Sequence, residues 1–281
     1  MRHALGWWLC LMVNAHAKSV NSKIAELNDQ MVNAAPQFVT RLAESADDIR
    51  CAQALRYKIF VQEMGADGPL VDHDQGLERD AFDKHAEQLL LLDLTRDPSD
   101  QIVGVYRLLD SNGAHAAGQF YSETEFDLSS LVQSGRALME LGRSCLHADY
   151  RGGAGMSHLW QGLAEIVRER QIDVLFGVAS FHGTDLDALA PSLSLLHDKH
   201  LAPKDIRVSS RSDPQISYGS VADRVAAMRN VPALIKAYLR LGGFIGDGVF
   251  VDKAFNTTDV CLILDLARMS PKQASMYGGS R

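Results

Sequence analysis

Cysteine is scarce in this sequence of 281 residues, and its spacing excludes more than its number. Cys10, Cys51, Cys145 and Cys261 lie far apart with no C-x-x-C, which fits neither a zinc site nor a disulfide framework and points to a reducing compartment. Positive charge is also short: the formal net charge is −7, unlike a general nucleic-acid binder, which would be basic. There is no G-x-G-x-x-G and no βαβ unit at the start, so a dinucleotide-binding fold is weakly supported. The acidic loop holding Asp67, Asp72, Asp74, Glu78, Asp80 and Asp83 lacks the Gly and Glu offsets of an EF-hand. No repeat, low-complexity tract or linker interrupts the chain after residue 45.

A bilayer-spanning apolar run is missing as well. Ala4 to Val13 is too short for the roughly 20 residues a crossing needs. With Arg2 before it and Ala15-His16-Ala17 after it, this segment has the outline of a secretory signal. Its alternatives are a membrane-skimming extension or a start codon placed too far upstream. The expected organisation is an N-terminal extension over 1–44, one domain over 45–270 and a tail over 271–281.

What is present reads as mixed strands and helices, an α/β or α+β domain. Ser45 can cap a helix reaching about Met64, with Asp47 and Asp48 in its first turn. Arg56 and Phe60, four apart, would share a face of it. Gln88 to Thr95 and Gln101 to Leu109 are apolar strands around an Asp-Pro-Ser-Asp turn. Arg107 inside the second needs a partner or a cleft, because a lone charge in an apolar strand is costly. Val174 to Ala179 is a further strand, and helices are expected over Leu186 to His200 and Ala233 to Leu241. Lys204 to Arg229 reads as loop, and two last strands, Phe244 to Val251 and Asp259 to Leu266, close the pattern. His197 and His200 are i,i+3 with no third ligand, so no metal is expected.

The informative stretch runs from Ala137 to Gln171. A strand ending near Leu146 meets a turn at Gly152, Gly153 and Gly155, and a helix follows. Such a turn exposes backbone N–H groups at a helix N-terminus, where they and the helix dipole favour a phosphate. Glu140 and Arg143 lie on the strand. If the turn holds a phosphate, a thioester on a pantetheine arm would point along that strand towards Glu140. Acyl transfer to an amine needs a base, orientation and charge stabilisation. Glu140 is the base candidate, with Arg143, Arg107 and Arg56 to bind a carboxylate or steady Glu140. An ordinary buried Glu–Arg network explains the same residues equally well.

Four segments, Arg56-Tyr57-Lys58-Ile59-Phe60, Asp80-Ala81-Phe82-Asp83, Arg107-Leu108-Leu109 and Glu140-Leu141-Gly142-Arg143, resemble the spaced pattern of acyl-homoserine lactone synthases. Others look more like the ornithine N-alpha-acyltransferases. They include Glu125-Phe126-Asp127-Leu128, Leu159-Trp160-Gln161-Gly162-Leu163, Lys236 to Gly242, and Phe255-Asn256-Thr257-Thr258-Asp259-Val260. The resemblance runs from about Ile49 to Met269. It implies a GNAT-like acyltransferase fold, with a central mixed, mostly antiparallel sheet flanked by helices. It implies transfer of a 3-hydroxyacyl chain from acyl carrier protein to the alpha-amine of L-ornithine, giving lyso-ornithine lipid, with no bound cofactor. Glu140 and Arg143 would be catalytic. Arg56, Phe60, Asp80, Asp83 and Arg107 would bind substrate, the two aspartates holding the cationic acceptor. Arg151, Gly152, Gly153 and Gly155 would bind the donor phosphopantetheine. The implied location is cytoplasmic with peripheral contact at the inner membrane.

Two departures narrow this. Tyr150 stands where GNAT acetyltransferases have the Arg or Gln of R/Q-x-x-G-x-G/A, which favours carrier-bound pantetheine over coenzyme A. Met64-Gly65-Ala66 stands where lactone synthases have a tryptophan, which demotes an S-adenosylmethionine acceptor. Another amino acid as acceptor, or a non-catalytic membrane-associated protein of the same fold, are the competing readings. From Asp198 onward 12 Lys and Arg face 8 Asp and Glu, a net +4 against −11 for the rest. That excess suits acidic acyl carrier protein or is simply a solvated face.

Overall fold

A computed structural model of the chain describes residues 35–212 and 216–278. The signal-like segment and Cys10 lie outside the described residues. The first strand, β1 (Phe38–Leu42), falls within the stretch read from sequence as an extension, yet it pairs antiparallel along β2 (Glu87–Asp93). The sheet therefore begins before residue 45. Five residues, of which only Val39 is exposed, carry too little alternation to be recognised alone.

Ser45 caps helix α1 (Ala46–Arg56): its hydroxyl accepts from the Asp48 N–H, and the Asp48 carboxylate accepts in return from the Ser45 N–H. This capping box satisfies two of the N–H groups that a helix start leaves orphaned. The α-helical turn does not continue to Met64. From Tyr57 to Glu63 the coil widens to a π-helix, with the Met64 N–H donating to the Ile59 carbonyl. The widening separates Arg56 from Phe60. Arg56 is wholly buried, whereas Phe60 turns to a cavity wall.

The other strands are β3 (Ile102–Asp110), β4 (Phe126–Asp127), β5 (Leu138–Leu146), β6 (Val174–His182), β7 (Ser209–Ser210), β8 (Phe244–Ile245), β9 (Phe250–Asp252) and β10 (Thr257–Asp265). The main sheet runs β1-β2-β3-β5-β6-β10-β8, with β9 also on β10. Every pairing in it is antiparallel except β5 with β6. Strands β4 and β7 make a separate two-stranded sheet. The loop expected over Lys204 to Arg229 thus holds β7 and all but the last residue of a short helix, Arg224–Asn230.

Helix α2 (Gly155–Glu169) lays Leu159, Leu163 and Val167 on the sheet at four-residue spacing. Each such side chain contributes about 1.5–3 kcal/mol when fully buried. Helices α3 (Leu186–His200) and α4 (Ala233–Arg240) add Leu193, Leu196, Ile235 and Tyr238 to the same core.

One irregularity matters for function. Strands β5 and β6 pair only over Leu138 to Glu140 against Val174 to Phe176, and then part. Gly177 sits at the fork, where a Cβ would lie 2.2 Å from the Leu141 carbonyl oxygen. No side chain fits without moving backbone. Gly177→Ala is therefore expected to cost about 1–3 kcal/mol and to lower Tm, which thermal unfolding monitored by circular dichroism would show; an unchanged Tm would contradict it.

Candidate active site

The fork between β5 and β6 opens a cavity of about 700 Å³, within the range of small-molecule sites. Just past it a bulge interrupts the β3–β5 ladder: Val105 pairs with Cys145, but Arg107 pairs with Gly142. The extra residue of a bulge re-aims a side chain. Here Arg143 has φ +51°, a left-handed conformation that costs a non-glycine residue about 1–2 kcal/mol. Its guanidinium is turned over the rings of Tyr121 and Phe255 at 5.0 and 5.3 Å.

Glu140, Arg143, Arg107, Phe60, Arg151 and Gly152 all line the cavity. Arg56, Asp80, Asp83, Gly153 and Gly155 stand outside its lining. The loop acids are not free to receive a cation. Arg56 reaches Glu78 at 2.5 Å and Asp83 at 2.8 Å, Arg107 reaches Asp80 at 2.6 Å and Asp83 at 3.3 Å, and Arg143 reaches Glu78 at 3.0 Å and Asp80 at 2.9 Å. Three guanidiniums thus balance three carboxylates. Burial opposes the charge of Asp80, but Arg107 and Arg143 more than offset it and hold its pKa down at about 2.

Glu140 is 3% exposed. Its Oε1 accepts from the Ser122 N–H at 2.6 Å and from the Ser122 hydroxyl, and its Oε2 accepts from the Tyr121 N–H at 2.7 Å. Burial raises its pKa, while these donors and Arg107 pull it back. A carboxylate oxygen has two lone pairs, so Oε2 keeps one acceptor position.

At the other end, Gly152 turns the chain with φ +77°, and no side chain caps the N-terminus of α2. Arg151 bridges the turn to the π-helix, donating to the Leu146 carbonyl at 3.0 Å and pairing with Glu63 at 2.7 Å. Tyr150, the atypical residue, ties the turn to β2 through a 2.6 Å bond from its hydroxyl to Asp93. Between the two ends the walls are mainly apolar, with Met156, Trp160, Leu234 and Leu262 among them. Burial pushes the Cys145 thiol up to about 12, so it packs as a small hydrophobe.

A third group was not legible. Carboxylate oxygens of Glu125, Asp252 and Asp259 converge within 4.8 Å; Asp252 and Asp259 line the cavity and Glu125 stands beside them. Burial, then the charges of Asp259 and Asp252, push the Glu125 pKa up to about 8. Burial likewise raises Asp259 to about 6. Glu125 and Asp259 each fall inside a motif that resembles the acyltransferases, but nothing local marks two carboxylates some 130 positions apart as neighbours. Because the folded Glu125 keeps a proton that the unfolded chain (ordinary value 4.5) has lost, its contribution to stability falls as pH rises from about 4.5 to 8. Glu125→Gln is expected to flatten that fall by a few kcal/mol, measurable by denaturant unfolding at pH 5 and pH 8; parallel slopes would contradict it.

A mixed sheet that parts between two parallel strands, with a helix N-terminus at one end of the opening and a carboxylate at the other, defines an acyltransferase of the GNAT class. An acetyltransferase (GNAT) domain matches residues 55–161. The chain is 50% identical over 249 residues to the L-ornithine N(alpha)-acyltransferase of Rhodobacter capsulatus, covering 87% of this chain and 96% of that protein. It is 37% identical over 271 residues to that of Agrobacterium fabrum, covering 93% and 92%. Among solved structures, a CoA-dependent acyl-homoserine lactone synthase, BjaI, solved with MTA, superposes with a TM-score of 0.50 at 13% identity, covering 87% of this chain and 92% of that one; the likeness is one of fold. The chain belongs to the family of L-ornithine N(alpha)-acyltransferases.

Proposed function

We propose that the protein transfers a 3-hydroxyacyl chain from the phosphopantetheine of acyl carrier protein to the alpha-amine of L-ornithine, giving lyso-ornithine lipid. The observation that carries this reading is the forked cavity, whose mainly apolar walls join an uncapped helix N-terminus to Glu140 and Arg143. The family membership supports ornithine as acceptor.

The donor phosphate lies at the turn, met by Arg151 and the N–H groups of Gly152, Gly153 and Gly155. The pantetheine arm passes along β5, and the fatty chain occupies the apolar walls. The ammonium of ornithine gives one proton to Oε2 of Glu140, directly or through a water. The free amine then attacks the thioester carbonyl; the N–C bond forms, the C–S bond breaks, and the thiol leaves with a proton. Arg143 and Arg107 order Glu140 and the substrate carboxylate. Asp80 and Asp83 fix those arginines, with Arg56 locking the network from beneath, rather than holding the acceptor.

The basic C-terminal third suits a strongly acidic carrier protein. Among the described residues no helix is long and apolar enough to cross a membrane. A cytoplasmic protein that touches the inner membrane peripherally fits the cysteine pattern and a product with a fatty tail. Purified protein incubated with 3-hydroxyacyl carrier protein and a panel of amino acids should yield acylornithine by mass spectrometry. Acylation of a different amino acid, with ornithine untouched, would refute the acceptor.

A further inference from the structure

We propose that Glu125, Asp252 and Asp259 form the subsite for the side-chain ammonium of the acceptor, and so choose a diamino acid over one with an uncharged side chain. This rests on the reading of ornithine as acceptor. It answers a question that reading leaves open, since the aspartates expected to hold the cation are committed to arginines.

The trio is built unlike the arginine network beside it. Among the described residues, none of its carboxylates makes an ion pair, and the nearby Arg143 is engaged by Glu78 and Asp80. Glu125 and Asp259 are 3% and 2% exposed, yet Oε2 of the first and Oδ1 of the second have no hydrogen-bond partner. A buried unpaired carboxylate oxygen is costly, and two of them in a trio whose carboxylates converge at a cavity wall mark a place for a donor. The other contacts are with neutral groups. Asp259 Oδ2 accepts from the Thr257 hydroxyl at 3.3 Å, Ser180 also hydrogen-bonds Asp259, Tyr121 hydrogen-bonds Glu125, and Asp252 Oδ1 accepts from the N–H groups of Ala254 and Phe255.

The dimensions suit an ammonium. Its three donors make charge-assisted bonds of about 2.8 Å, and at tetrahedral angles these end on acceptors about 4.6 Å apart. The trio's oxygens lie within 4.8 Å of one another. A cation there lets the carboxylates ionise together, which burial and mutual repulsion otherwise oppose. Placing the side-chain ammonium at this end also keeps it away from the thioester, so that the alpha-amine is the one left beside Glu140 in the same cavity. The rings of Tyr121 and Phe255 line that end of the cavity too.

The test compares L-ornithine with L-norvaline, which has the same carbon skeleton without the side-chain amine. The full-length wild type, Asp259→Asn and Glu125→Gln are assayed for kcat/KM with both acceptors, and ornithine binding is measured by calorimetry. The expected result is a fall of about 10- to 100-fold in the ornithine-to-norvaline ratio in each variant, carried by KM for ornithine, with ornithine affinity falling in step. A purely structural role would lower both acceptors alike and leave the ratio constant, overturning the proposal while the ornithine reading stands. Activity abolished by a chelator and restored by Mg²⁺ or Mn²⁺, with those ions binding the wild type but not the variants, would make the trio a metal site and overturn it as well. A wild type that makes no acylornithine would remove both readings together.

Discussion

Replacing Glu140 with alanine is expected to lower kcat by about 10²- to 10⁴-fold, the usual contribution of a positioned base. Two losses combine. The alpha-amine loses its proton acceptor, and the N–H groups of Tyr121 and Ser122, which Glu140 now satisfies, are left without it at about 1–3 kcal/mol for each that stays buried. Glu140→Gln separates them. It keeps the shape and an acceptor for Ser122, sets an amide NH₂ against the Tyr121 N–H, and cannot take a proton. Its rate should recover partly as pH rises towards the amine's own pKa, because the acceptor then arrives deprotonated. Rate–pH profiles of the three proteins, with their melting curves, decide the matter. An alanine variant that turns over normally but melts early would leave Glu140 as an anchor for the Tyr121–Ser122 turn and nothing more.

The largest effect on stability is expected from Arg56→Ala. The arginine is 0% exposed, and Glu78 beside it is 1% exposed. Removing it leaves Glu78 with Arg143 alone and Asp83 with Arg107 alone, so that three carboxylates face two guanidiniums, and breaking a buried pair in this way costs about 3–5 kcal/mol. For a domain of this size that corresponds to a fall in Tm of roughly 6–20 °C. Arg56→Lys should fall between, since an ammonium restores the charge but not the planar fork that spans Glu78 and Asp83. Differential scanning calorimetry of both variants provides the measurement, and an alanine variant melting with the wild type would show that the network contributes no net stability. Because Glu78 also grips Arg143 at 3.0 Å, loss of Arg56 should loosen the strained bulge and lower activity even in the folded fraction.

Much of the fold was legible because its signals are local. The Ser45 cap, the Leu-rich β2, the strand bearing Glu140, the turn before α2 and the Pro232 start of α4 each follow from a few adjacent side chains. The π-helix at Tyr57 to Glu63 has no such signature, since its residues suit an α-helix equally well. Strand β1 was hidden for a related reason: its pairing with β2 is a contact between segments some fifty positions apart.

The candidate site divides along the same line. Motifs placed Glu140, Arg143, Arg107 and Phe60 together, and the cavity gathers all four. The sequence alone determined a mixed α/β chain, a strand–turn–helix with ionisable residues on its strand, and the family those motifs resemble. Only the tertiary structure decided which charges are already spent. Asp80 and Asp83 look available in the chain, but folding sets them against Arg107, Arg143 and Arg56. Glu125 and Asp259 look ordinary in the chain, but folding brings them together, buried and, among the described residues, without an ion-pair partner. The physical reason is that a carboxylate's role depends on what lies within a few ångströms of it, through solvation and Coulomb energy. Those neighbours come from distant strands and loops.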